Sequence, residues 1–164
     1  MPLIVLLSVF AVSLPATKFL RGRVDVPGAG RIAMSAMLMF TAIGHFLFTE
    51  GMAMMLPDFV PFKTETVYAT GVIEIAAAIG LLIPGLRALT ASMLILFFIL
   101  ILPANISAAV NHVDYQKGTY DGSGVMYLWF RIPLQILFII WTYLFAYKPT
   151  FIKETKPEGQ SDPG

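Results

Sequence analysis

Five apolar stretches, each about as long as a helix that crosses a membrane, constrain this chain more than any other feature. A membrane-spanning helix needs about 20 largely apolar residues. The stretches cover residues 2–20, 31–56, 65–83, 86–111 and 125–147. Only 13% of the residues are charged, against about 25% in a typical soluble domain. This pattern predicts an all-α, polytopic membrane helix bundle with no separate soluble domain.

The first stretch has two interpretations. Its apolar run is short and ends near Pro15, as in a cleaved signal peptide. A signal peptide usually begins with a basic residue, however, and no lysine or arginine precedes Lys18. We therefore expect residues 1–20 to be a retained N-terminal transmembrane helix, which adds to a four-helix core at residues 31–147. The polar, proline-containing segment 148–164 is predicted to be a disordered tail.

Basic residues are divided unevenly between the two sides of the predicted bundle. Of the 11 lysines and arginines, two lie on one side, Lys63 and Lys117, and Arg131 lies within the last stretch. The remaining basic residues lie on the opposite side: Lys18, Arg21, Arg23, Arg31, Arg87, Lys148, Lys153 and Lys156. Because basic loops stay on the cytoplasmic side, this predicts an outside N-terminus and a cytoplasmic C-terminal tail.

Several polar side chains lie within the predicted helices, where an ionisable group costs about 2.5–3.5 kcal/mol on insertion scales. Counted at about 1.5 Å per residue, all of them fall in the outer half of the bilayer. They are His45, Glu50, Glu74, Asn105, Arg131 and Gln135. Glu50 lies five residues from His45 and therefore points to a different side. The other five residues are predicted to share one site.

Arg131 keeps its charge at this depth and therefore needs an anion. Glu74 is the carboxylate at a comparable depth on another helix, so we expect a Glu74–Arg131 ion pair, with hydrogen bonds from His45, Asn105 and Gln135. One interpretation of this cluster is a structural clasp. The other is an outward-facing pocket for a polar headgroup or a quinone-like ring.

Two prolines favour the pocket over the clasp. Pro103 and Pro133 lie near the polar residues in their helices. Proline removes one helical hydrogen bond and clashes with the carbonyl four residues earlier. Kinks at both positions are expected to separate the helices at the level of the cluster and to leave a cavity there.

Other chemistry has little support in the sequence. The chain contains no cysteine, so its own residues provide no thiolate metal site and no iron–sulfur ligation. Its two histidines are not spaced as metal ligands, and no metal site is expected. The net charge of +1 does not indicate nucleic-acid binding. No catalytic residue is predicted.

Several short motifs occur in order along the chain: AIGHF at 42–46, P-x-x-x-P at 57–61, GVIEIAAAIGLLIPGLRALTA at 71–91, PANI at 103–106 and RIPLQ at 131–135. Together they resemble the DoxX-like family of small bacterial integral membrane proteins. The resemblance covers residues 31–147 and implies a four-helix membrane bundle in the bacterial inner (cytoplasmic) membrane. The motifs include His45, Glu74, Asn105, Arg131 and Gln135, the same residues that the depth argument selects.

The family takes its name from a membrane subunit of a thiosulfate:quinone oxidoreductase. The resemblance therefore implies a membrane subunit of a quinone-linked redox system, with a non-covalently bound quinone and a partner protein. Whether the chain is itself an enzyme stays open. Two alternatives are a non-enzymatic membrane scaffold or assembly factor, and a small-solute or proton carrier that uses Glu74 and His45.

Overall fold

The computed structural model describes residues 2–149, which form a bundle of α-helices joined by loops. Apart from residues 148 and 149, the predicted tail lies outside the described residues. The helices are α1 (Pro2–Arg21), α2 (Val26–Leu47), α3 (Thr49–Met55), α4 (Lys63–Gly80), α5 (Arg87–Leu100), α6 (Leu102–Val110) and α7 (Val125–Thr142). A 3-10 turn at Pro84–Leu86 precedes α5, and a π-helical segment, Tyr143–Tyr147, continues α7.

Four segments are long and apolar enough to cross a membrane: Pro2–Leu20, Val26–Leu47, Pro84–Val110 and Val125–Tyr147. The outer surface of the bundle is also apolar, as lipid requires; Val12 and Leu100, for example, are 69% and 66% exposed. The all-α membrane bundle is therefore confirmed. The remaining predicted span, 65–83, is helical as α4 but is not among these four. The hydropathy of α4 is lowered by its charged residues, which are Lys63 and Glu65 in the first turn and the buried Glu74.

Two of the predicted helices prove to be interrupted. The stretch 31–56 is divided at Phe48, where the Thr49 hydroxyl donates a hydrogen bond to the His45 carbonyl at 2.7 Å and competes with the helical pattern. The stretch 86–111 is divided at Ile101, just before Pro103, which has no N–H to donate. The kink expected at Pro103 is thus a complete break, whereas α7 continues through Pro133.

The start of the second predicted helix was also wrong. α2 begins at Val26 rather than at residue 31, because the Asp25 carboxylate accepts a hydrogen bond from the Gly28 amide at 2.9 Å. Pro27 in the first turn favours the same start, since its missing N–H would have no helical partner there. Residues 26–30, which lie between the first two predicted stretches, are therefore helix.

The bundle has two unlike halves. The half next to the connections 22–25 and 81–86 is called the packed half. In it, the Trp141 indole donates to the Gly30 carbonyl at 3.0 Å, and the Ser35 hydroxyl donates to the Ala78 carbonyl at 2.8 Å. The half next to the connections 56–62 and 111–124 is called the pocket half. It contains both helix breaks and the polar side chains.

Candidate ligand-binding site

The five polar residues selected from the sequence line one cavity of about 250 Å³ in the pocket half. They come from four parts of the fold: His45 from α2, Glu74 from α4, Asn105 from α6, and Arg131 and Gln135 from α7. Glu50, which was predicted to point elsewhere, is exposed on α3 and is not part of this lining.

Three of these side chains are almost completely buried. The exposed fractions of Asn105, Glu74 and Gln135 are 2%, 6% and 7%. His45 and Arg131 are half-buried. Buried polar groups normally have hydrogen-bond partners. Polar atoms of the cavity that have no partner are therefore the ones that could bind a ligand.

On one side of the cavity, Glu74 faces His45. Glu74 Oε2 lies 3.6 Å from His45 Nε2, which is too long for a hydrogen bond. Oε2 is buried and has no hydrogen-bond partner among residues 2–149. Each buried carboxylate oxygen left in this state carries an uncompensated desolvation cost of about 1–3 kcal/mol or more. A proton or a ligand group at this atom would remove that cost.

Thr70 orients the imidazole ring of His45. The Thr70 hydroxyl lies 2.7 Å from the Val67 carbonyl and 3.1 Å from His45 Nδ1. Its one proton is best donated at the shorter distance, to Val67, so Thr70 accepts a hydrogen bond from Nδ1–H. In this tautomer Nε2, the atom that faces Glu74, has no proton when the ring is neutral.

On the other side, Asn105 joins three neighbours. Its Oδ1 accepts from Arg131 Nε and from the Tyr127 hydroxyl, both at 3.3 Å. Its Nδ2 donates to Gln135 Oε1 at 3.2 Å. Gln135 in turn donates to the carbonyl of Phe98. That carbonyl lies in the last turn of α5, where the helix has no N–H to offer it. The break before Pro103 therefore supplies the acceptor that fixes Gln135.

The predicted Glu74–Arg131 ion pair is wrong. No such pair exists between residues 2 and 149, since Glu74 pairs with His45 and Arg131 turns to Asn105. The Arg131 guanidinium also lies 5.9 Å from the centre of the Tyr127 ring, within cation–π range. The cause is helix adjacency: α4 packs against α2, whereas α6 packs against α7.

The result is a charged donor without an anion. Among residues 2–149, Arg131 donates a hydrogen bond through Nε, to Asn105. Its two terminal nitrogens have no acceptor among these residues. An arginine offers five N–H donors, and in a partly buried site these need acceptors. The cavity thus has unused donors on its α7 side and an unsatisfied carboxylate oxygen, Oε2 of Glu74, on its α4 side.

Sequence analysis missed two contributors to this site. Thr70 was not selected, although it lies one turn before Glu74 on the same face of α4. Tyr127 was not selected either, although it lies one turn before Arg131 on the same face of α7. The spacing of four residues in both cases was the available signal, because residues four apart are neighbours on a helix.

The chain belongs to a family described as "Domain of unknown function (DUF8561)", whose model matches residues 34–146. The matched region contains all five of the selected residues and both helix breaks, while α1 lies before it. Neither the comparison with curated proteins nor the comparison with solved structures gave a match.

Proposed function

We propose that this protein is a DoxX-like membrane subunit of a quinone-linked redox system, and that its cavity binds the quinone ring. One observation carries the proposal: Arg131, whose terminal nitrogens have no acceptor among residues 2–149, and Glu74, whose Oε2 has no hydrogen-bond partner there, line the same cavity. A quinone ring has two carbonyl oxygens on opposite sides. Arg131 would donate to one of them, and the Glu74–His45 pair would face the other and supply it with a proton.

The size of the cavity favours a ring rather than a larger solute. Its volume is about 250 Å³, slightly below the range of about 300–1,000 Å³ for pockets that enclose a drug-sized ligand. A headgroup of one or two rings fits this volume, whereas a long isoprenoid tail does not. The tail would therefore have to leave the cavity.

The lining of α2 offers such an exit. Phe40, Ile43 and Leu47 line the cavity and are also 46%, 54% and 70% exposed on the outer surface. They follow one another at three- and four-residue spacing, which places them on one stripe of α2. This stripe marks where the cavity reaches the lipid-facing surface, and it is entirely apolar. It suits a tail that extends into the bilayer.

The proposed roles follow from charge and proton balance. Conversion of a quinone to a quinol takes up two electrons and two protons. The electrons would come from a partner protein that carries a redox centre, for which this chain supplies no thiolate ligand. Arg131 would stabilise the negative charge that develops on the nearer oxygen. The Glu74–His45 pair would deliver one proton to the other oxygen, as carboxylate–histidine relays do in membranes. The second proton, for the oxygen near Arg131, would come from water.

The proposal includes a location. We place the protein in a bacterial inner membrane with the N-terminus outside and the C-terminus in the cytoplasm, and the charge pattern supports this orientation. Near its end the packed half carries lysines and arginines that include Lys18, Arg23, Arg31 and Arg87, whereas the described part of the pocket half carries two near its end, Lys63 and Lys117. The pocket would then open toward the outside.

A binding experiment tests the proposal. The purified protein in mild detergent is titrated with a short-tailed quinone, and bound ligand is measured by equilibrium dialysis. Arg131→Met and Glu74→Gln should each weaken binding about tenfold or more, equivalent to about 1.4 kcal/mol. Glu50→Gln is the matched control, because Glu50 is a helical carboxylate that is exposed on α3 and lies outside the cavity lining. Equal affinity in all variants, or no binding by the wild type, would contradict the proposal.

A second candidate, a small-solute or proton carrier, is favoured by the Glu74–His45 pair alone. It predicts proton flux in protein-containing liposomes without any quinone, and loss of that flux in Glu74→Gln. A membrane scaffold or assembly factor predicts neither flux nor quinone binding. It predicts instead a partner protein that remains bound when Arg131 and Glu74 are both replaced.

A further inference from the structure

A second pocket lies at the end of the pocket half, on the other side of α3. Its volume is about 380 Å³, and most of its lining is polar. The residues that line it are Ala53, Met54, Leu56, Asp58, Lys63, Ser107, Asn111 and Tyr120. We call it the vestibule. Asp58 and Lys63 form an exposed ion pair of 3.0 Å within it. Such a polar, charged surface favours hydration, and the vestibule lies next to the cavity.

The wall between the vestibule and the cavity is one layer of side chains. On α3, Met52 and Met55 face the cavity, whereas Ala53 and Met54 face the vestibule. Leu56 lines both spaces. The two spaces therefore adjoin each other at Leu56.

The wall is also least constrained at Leu56. This residue ends α3 with extended backbone angles, φ −72° and ψ 135°, and Pro57 follows it. Its neighbours on the cavity side, Met52 and Met55, are methionines, whose unbranched side chains change rotamer easily. No refolding of a helix is needed for the Leu56 side chain to move aside.

We infer that water passes Leu56 from the vestibule into the cavity, and that this path supplies protons to the Glu74–His45 pair. The role in proton supply rests on the proposed function, whereas the water path does not. The path assigns the two openings of the cavity to different molecules. The apolar stripe of Phe40, Ile43 and Leu47 serves a lipid-soluble ligand, and Leu56 serves water.

A rival water path would run past the 111–124 loop, because Tyr115 and Gln116 also line the cavity. Close packing argues against it. A Cβ atom added at Gly51 would collide with the backbone carbonyl of Tyr115, so α3 and this loop are in direct contact. The Tyr115 ring also meets Phe48 edge-on, with ring centres 6.2 Å apart. The loop side is therefore more tightly closed than the Leu56 side.

Because the chain contains no cysteine, a single introduced cysteine is the only thiol that can react with a labelling reagent. Ala104→Cys places a thiol in the cavity, and Ser107→Cys places one in the vestibule on the same helix. Each is treated with a charged, membrane-impermeant thiol reagent in detergent, without quinone, and the labelling rate is followed by mass spectrometry. Ser107→Cys should react rapidly in every background and gives the reference rate of an accessible thiol. An unfolding transition in denaturant like that of the parent shows that each variant is folded.

At Ala104→Cys, Leu56→Ala should raise the labelling rate about tenfold, and Leu56→Trp should lower it about tenfold. Leu47→Trp, on the lipid side, and Gln116→Trp, on the loop side, should leave the rate within about twofold of the parent. If neither Leu56 variant changes the rate, or if Leu47→Trp or Gln116→Trp slows it as much as Leu56→Trp, the inferred path is wrong. Because no quinone is present, these outcomes are independent of the binding test of the proposed function.

Discussion

The packed half and the pocket half are built from the same long helices, yet those helices meet in different ways. In the packed half, α2 approaches the end of α7 so closely that Gly30 has no room for a Cβ atom against Phe145. In the pocket half, a Cβ atom at Gly44 of the same helix would meet only Met52, at 3.7 Å. Close approach in one half holds the bundle together, and this allows the other half to keep a cavity and polar groups that are not fully satisfied.

The largest expected effect is a difference in unfolding free energy between two equivalent substitutions on one helix. Gly30→Ala should destabilise the protein by about 1–3 kcal/mol, because the base of the Phe145 side chain and not its flexible end is in the way. Gly44→Ala should be neutral or stabilising by up to about 1 kcal/mol, since alanine is the better helix former. Denaturant unfolding in detergent measures both. Similar losses at the two positions would remove the distinction between the halves.

A smaller effect concerns the pairing inside the pocket half. Glu74→Gln and His45→Ala should be coupled by about 0.5–3 kcal/mol in a double-mutant cycle of unfolding free energies, since the two side chains face each other. Glu74→Gln and Arg131→Met should add to within about 0.5 kcal/mol, because Arg131 is bonded to Asn105 instead. The reverse result would restore the ion pair that the sequence suggested.

The smallest effect lies in the loop that closes the pocket half. The Thr119 hydroxyl donates to Asp121 and, with the nearby Lys117, holds the pKa of that exposed carboxylate below its usual 3.8. Its contribution to stability is therefore present above about pH 4 and is lost as the pH falls through the lowered pKa. Thr119→Val should raise the Asp121 pKa toward 3.8 in an NMR titration, and Ser123→Ala should not. An unchanged pKa in Thr119→Val would show that this hydrogen bond is unimportant.

The sequence predicted which residues meet but not which of them pair. His45, Glu74, Asn105, Arg131 and Gln135 could be grouped because a polar side chain in an apolar helix must turn away from lipid, and their depths agreed. Pairing depends on which helices are neighbours. No pattern within the 65–83 stretch indicates that α4 packs on α2 rather than on α7. Arg131 was therefore chosen as the partner of Glu74 from its charge alone, and this choice was wrong.

The helix boundaries were also predictable only in part. Pro103 predicted an interruption before α6. Asp25 and Pro27 together indicate the start of α2, which the periodicity of apolar residues alone did not identify. The interruption at Phe48 had no comparable signal. It depends on one hydroxyl, that of Thr49, and threonine occurs in many uninterrupted helices, including Thr41 of α2. The quinone, the partner protein and the orientation in the membrane remain predictions.

The two helix breaks have a consequence for the energetics of local opening. α3 and α6 have 7 and 9 residues, well below the length of about 12–15 residues at which an isolated helix becomes even marginal in water. They hold each other through a small cluster of their own, which contains Met55, Ala108 and Val113 and is separate from the main core. Because the backbone ladder is already interrupted at Phe48 and Ile101, either short helix can open locally without unfolding α2 or α5, at the cost of its contacts with α4 or α7. The free energy of such a local opening is smaller than that of unfolding the whole protein, so two of the segments that line the cavity can open while the long helices stay folded.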